Sequence, residues 1–287
     1  MNNQKNTSID KTENEVNELK QQISILCGEV RELSGKLTNS ESIKSHFISN
    51  VCNEIVNPFA SIMGLARNIA NYGGTDISRV KSMAELIYSE AFDLDFQLKN
   101  IFAAAHIEAG ECEPVYAKID TIQLVDNVIS IYKYKAEQKQ LTINFEVNVD
   151  AELVKARLFV TDADKLQLVL SNVLSNSLKF SNASNKVEVM LSLDSGLLCI
   201  TIKDYGIGIN KEKMAMVFNR FERIDKEINS INQGSGLGLS VAKAYVECLN
   251  GTIELSCDTD CGTKVTIKLP EPSQCPESDL NDDEFIF

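Results

Sequence analysis

Two asparagines one helical turn apart, Asn172 and Asn176 in NVLSNSLKF, are the first residues in this chain whose type and spacing suggest chemistry. A four-residue step puts both on one face of a helix, so both amides can point into one cavity. A neutral amide oxygen can ligate a hard cation such as Mg²⁺ beside phosphates. In DYGIGI, Asp204 closes a strand-like run. A lone carboxylate there can accept a hydrogen bond from an exocyclic amine, and Gly206 and Gly208 let the backbone approach a flat ligand closely. The run GSGLGL, Gly234 to Leu239, is a glycine-rich turn opening a helix and suits phosphates. A fourth patch, CGT, ends at Thr263 and leads into the last strand. Any one of these is a common tight turn; their order along the chain is the specific signal.

In that order the four patches resemble the asparagine and glycine boxes of the ATP-binding domain of sensor histidine kinases, a fold shared with gyrase and Hsp90. VFNRFERID at 217–225 resembles the family's phenylalanine box, and INSINQ beyond it stands where the ATP lid would be. The resemblance covers roughly residues 41–270. It implies ATP and Mg²⁺ as cofactors, with Asn176 holding the metal, Asp204 binding the adenine amine, and Lys179 and Arg223 contacting phosphate. Asn172 and Thr263 would line the same site, and Gly234, Gly236, Leu237 and Gly238 would shape the pocket and lid. Gln233 departs from the family, which often has another glycine there. In the ATP-hydrolysing relatives a glutamate four residues before the metal-binding asparagine activates water. Here that position is Asn172, whose amide cannot act as a general base, so hydrolysis of the gyrase kind is not expected.

A second segment, FISNVCNEIVNPFASI at 47–62, resembles the family's dimerisation and histidine-phosphotransfer domain. Phe47, Glu54 and Pro58 fall in place, but Asn53 occupies the phosphoacceptor position. An imidazole nitrogen attacks the γ-phosphorus in this family; an amide lone pair is tied up in resonance and is a very poor nucleophile. His46 lies about 10.5 Å upstream along a helix and lacks a following acid. His106, in AHIEAGE at 105–111, is on another helix. Glu54 and Asn57 form E-x-x-N, which resembles the family's phosphatase motif, in which the Asn57 amide would position water against the aspartyl phosphate of a response regulator.

The elements that must position these residues are legible in the apolar pattern. Val16, Leu19, Ile23, Leu26, Val30, Leu33 and Leu37 alternate steps of three and four, a coiled-coil seam expected over 13–40 after a disordered start at 1–12. A helical hairpin is expected over 41–112, stopped by Asn71, Gly73 and Gly74, with Thr75 or Asp76 as the next N-cap and Gly110 as the end. Two such hairpins in a homodimer make a four-helix bundle. TINFEVNV, KVEVMLSL, LLCITIKD, GTIELSC and TKVTIKL alternate as half-buried strands do, with helical runs between them. The expected fold is therefore α+β: a dimeric helical hairpin followed by an α/β-sandwich ATP-binding domain at 115–270. The acidic residues 271–287 read as a disordered tail.

Composition excludes several classes. A formal net charge of −13 without a Lys/Arg run argues against nucleic acid. No apolar stretch is long enough to cross a bilayer, and the polar start has no signal core, so a cytoplasmic protein is expected. The eight cysteines include no CxxC pair and read as reduced thiols. The expected partners are a second copy and a response regulator receiver domain, with a histidine-bearing partner kinase as a further candidate. Three roles stay open: an ATP-binding signalling protein that cannot phosphorylate itself at position 53, a kinase whose histidine was replaced deliberately, and a scaffold in which nucleotide is structural.

Overall fold

The structure, a computed structural model, describes residue 28 and residues 55–148, 158–182, 185–194, 196–219, 236–258 and 262–272. Except for residue 28, these fall within the unit Asn53–Phe287. Apart from residue 28, the coiled-coil segment lies outside the described residues, as do His46, Asn53, Glu54, Arg223, Gly234 and most of the acidic tail.

Helix α1 covers 55–70, and α2 runs Ile77–Ala109. Asp76 resolves the choice of N-cap, because its carboxylate accepts from the Ser78 and Arg79 amides. Gly110 ends α2 in the left-handed conformation, its N–H returning to the last carbonyls. A linker at 111–116 leads to β1 (Ala117–Asp120), α3 (Thr121–Gln138), β2 (Thr142–Asn148), β3 (Leu158–Thr161) and α4 (Ala163–Phe180). β4 (Lys186–Asp194), β5 (Leu197–Asp204), α5 (Gly238–Cys248), β6 (Thr252–Asp258) and β7 (Gly262–Pro270) follow.

β2, β4, β5, β7 and β6 form one sheet in that order; β2 pairs parallel with β4 and the other pairs are antiparallel. β1 and β3 make a separate antiparallel pair. The expected strands thus appear, but the sequence reading omits α3, β1 and β3. Four-residue strands are too short for alternation to reveal them. α3 did carry a signal, since Val125, Val128, Tyr132 and Ala136 recur at helical spacing and are all buried.

The core lies between one sheet face and α3, α4 and α5. Leu198, Ile200 and Ile202 of β5 and Ile267 of β7 point inward, the alternate residues of pleated strands. They meet Leu166, Val169, Leu170 and Val173 of α4. α4 is buried well beyond one stripe, because α3 and α5 flank it while the sheet covers its inner face. Phe92 and Phe96 of α2 meet the Tyr132 ring of α3 edge-on at 5.8 and 6.4 Å, and Asp93 pairs with Lys135. Among the described residues, no helix is long and apolar enough to cross a membrane.

Candidate nucleotide site

Asp204 reaches its place through strand periodicity. In β5 the inward positions are Leu198, Ile200, Ile202 and then Asp204, so the register that buries three apolar residues also buries a carboxylate. Asp204 is 4% exposed. Its Oδ1 accepts from the backbone N–H groups of Gly206 and Thr263, each at 3.0 Å. The Ser177 hydroxyl of α4 supplies a third contact. Burial raises the Asp204 pKa, while these three donors act to lower it. A carboxylate offers about four lone-pair positions, so one remains for a donor such as an exocyclic amine.

Gly206 earns its type differently from the sequence reading. A Cβ there would stand 2.1 Å from the Phe180 carbonyl oxygen at the end of α4, so the close approach is to protein backbone. Ser181 and Gly206 form a bridge at that point. Gly208 follows in the same turn. The structure therefore joins the ends of α4 and β5 with the start of β7, bringing together Ser177, Asp204, Gly206 and Thr263. Sequence reasoning missed Ser177, although it lies one residue after Asn176. It also missed Cys257, whose Sγ receives the Ile209 N–H at 2.8 Å and stands 3.7 Å from Thr263 Oγ1.

The two asparagines of α4 differ in surroundings. Asn172 is buried, and its Nδ2 donates to Asn100 Oδ1 of α2 at 2.7 Å. Its own Oδ1 packs against Gly238, where a Cβ would come within 2.5 Å. Asn172 thus joins α2, α4 and the start of α5. Asn176, one turn on, is half-buried. Its neutral oxygen and partial access fit a hard cation held beside phosphates. Lys179 is in the last turn of α4, its ammonium 5.4 Å from the Phe180 ring centroid.

Gly236 and Leu237 lead into α5. Asp76, Asp120 and Asp162 cap α2, α3 and α4 with their carboxylates, but α5 begins after Leu237, which has no side-chain acceptor. An N-terminus without an acidic cap presents its amides and positive dipole end to an anion. Of the hairpin candidates, Asn57 is exposed on α1. His106 is exposed near the end of α2, 3.3 Å from Glu111.

Comparison with known proteins bears on the fold and the kind of domain. Residues 161–273 match the family described as histidine kinase-, DNA gyrase B- and HSP90-like ATPase. Histidine protein kinase SaeS of Staphylococcus epidermidis is 27% identical over 259 residues, covering 89% of this chain and 71% of that protein. SaeS of Staphylococcus aureus is 28% identical over 269 residues, covering 91% and 74%. Among solved structures, Acinetobacter baumannii histidine kinase AdeS superposes with a TM-score of 0.51 at 19% identity, covering 76% of this chain and 98% of that one. Full-length ShkA in complex with AMPPNP gives 0.56 at 19% identity, covering 80% and 46%. These two likenesses bear on fold. Residues 161–273 thus carry the histidine kinase-, gyrase B- and HSP90-like ATP-binding domain with its α+β fold, and over most of its length the chain is similar to sensor histidine kinases, the sensors of two-component signalling.

Proposed function

We propose that this protein binds Mg-ATP in its second domain and controls the phosphorylation of a response regulator without accepting phosphate at position 53. The observation that carries the reading is the contrast between a fully built Asp204 network and an amide at position 53. Asp204 would take the adenine amine, Asn176 would hold Mg²⁺, and the uncapped start of α5 with Lys179 and Arg223 would face phosphate. Bound Mg²⁺ would neutralise charge on the phosphates. Asn53 has no nucleophilic lone pair, so the γ-phosphate stays on ATP.

Glu54 and Asn57 supply the second half of the proposal. Asn57 stands exposed on α1, accessible to a docking receiver domain, and its amide can orient a water by donating and accepting. Such a protein would drain phosphate from a response regulator. A dimer is part of the reading, because Val56, Phe59 and Met63 of α1 are each more than half exposed, at 60%, 56% and 54%.

The test is label transfer from γ-labelled ATP to the purified protein beside an Asn53→His variant. We expect label only on the variant. Label on the protein as it stands would overturn the reading and direct attention to His46 and His106. A phosphorylated receiver domain should lose phosphate faster with the protein than with an Asn57→Ala variant.

A further inference from the structure

Cys112 and Cys248 are 136 residues apart in sequence and adjacent in space. Cys112 sits in the linker that joins α2 to the ATP-binding domain, and Cys248 is the last residue of α5. The Cys248 thiol donates to the Cys112 carbonyl, which sets the two cysteines side by side. Both are partly accessible and neither is in a disulfide. Two further contacts hold the linker against the domain. Lys165 Nζ donates to the Glu113 carbonyl at 3.1 Å, and the Val115 N–H donates to Asp162 Oδ2 at 2.9 Å. Lys165 and Asp162 are themselves paired at 2.7 Å. The two cysteines are therefore held side by side by a fastened stretch of linker and a helix end. Cys257 differs, because its thiol donates to the Gly262 carbonyl at 3.0 Å.

We propose that Cys112 and Cys248 form a redox-active pair, which a hydroperoxide converts into a disulfide that ties the linker covalently to α5. Burial and the neighbouring Cys112 push the Cys248 thiol up to about 12, so Cys248 stays protonated and the first oxidation falls to Cys112. The Cys112 thiolate attacks the terminal peroxide oxygen, the O–O bond breaks, and an alcohol (water, from hydrogen peroxide) leaves with a sulfenic acid formed. The Cys248 sulfur then attacks the Cys112 sulfur, and the hydroxyl leaves as water with the Cys248 proton. Two thiols and one hydroperoxide thus give one disulfide, one alcohol and one water. Two electrons pass from sulfur to the O–O bond.

The linker at 111–116 connects α2 to β1, so any displacement of the ATP-binding domain relative to α2 must bend it. A disulfide would make its fastening covalent. The experiment treats the full chain with hydrogen peroxide, blocks free thiols and maps peptides by mass spectrometry without reduction. We expect a Cys112–Cys248 linked peptide that dithiothreitol removes and that is absent from Cys248→Ser and from Cys112→Ser. Amide exchange over 112–115 should slow by about tenfold on oxidation, as local opening is suppressed. Cys112 ending as an unlinked sulfenic or sulfinic acid, or linkage to another cysteine, would overturn the proposal. So would a linked peptide with unchanged exchange, since the tie would then restrain nothing. The mapping on the unsubstituted protein does not depend on variants folding, and it succeeds or fails independently of ATP binding.

Discussion

The ATP-binding domain and the hairpin before it bury their apolar residues to different degrees. In the domain, Leu166, Val169, Leu198, Ile200 and Ile267 are wholly enclosed by their own chain. In 55–109, the buried residues among those described are Asn100, Ala103 and Ala104, all on the α2 side that meets the domain. Val56, Phe59, Met63, Ile77, Leu86 and Tyr88 remain exposed. One region completes its core alone. The other has an apolar surface that a second copy would cover, as the bundle reading requires.

The largest effect expected from this difference is on assembly. Replacing Phe59 and Met63 by Asp should weaken the dimer by at least about 100-fold, roughly 3 kcal/mol, because it buries charge at the proposed contact. Sedimentation would show the shift to monomer, with nucleotide affinity unchanged. An unaltered dimer constant would mean that these side chains face something else.

Next comes the interior of the complete region. Asp204→Ala should cost about 100-fold in nucleotide affinity by calorimetry, on the order of 3 kcal/mol for a charge-assisted bond in a closed site. The pH dependence has a definite sign. Burial raises the folded Asp204 pKa, so acidification removes the acceptor, and with it affinity, at higher pH than for an exposed aspartate. Its contribution to folding runs oppositely: it is fully present below the unfolded pKa of about 3.9 and lost as pH rises through the folded value. Nucleotide affinity that stays flat until the range of an exposed aspartate would exclude this account.

The junction between the two regions should respond more weakly. Asn100→Ala leaves the buried Asn172 amide without its 2.7 Å partner, a loss of roughly 1–3 kcal/mol in denaturant unfolding. The double variant with Asn172→Ala should lose less than the sum of the two single changes. Additive losses would show that the bond does not couple α2 to the domain. The smallest effect is expected at Lys139, whose ammonium donates to the Leu178 and Lys179 carbonyls at 3.1 and 3.0 Å. Lys139→Met should cost about 1 kcal/mol in unfolding free energy, since these carbonyls end α4 and can turn partly to water.

Much of the domain was legible because its signals are local. LLCITIKD is read directly as β5, and Gly110 directly as the end of α2. The Asp204 position follows from alternation alone. Ser177 was not legible, because a serine one residue past an asparagine has no pattern until β5 is laid beside α4. The same holds for Gly206: the sequence suggests a glycine for close approach, but only packing shows that the approaching atom is the Phe180 oxygen.

Local signals in the sequence carried the resemblance to histidine kinases, the strands of the main sheet, and the absence of a nucleophile at position 53. Periodicity, turn chemistry and the reactivity of an amide act within a few bonds, and composition displays them. Tertiary structure alone decided that Asn172 spends its amide on Asn100 while Asn176 stays partly accessible. It also decided that Cys112 meets Cys248 across 136 residues. These pairings depend on how the linker and α2 fold back on the domain, and no local spacing encodes a contact between residues so far apart.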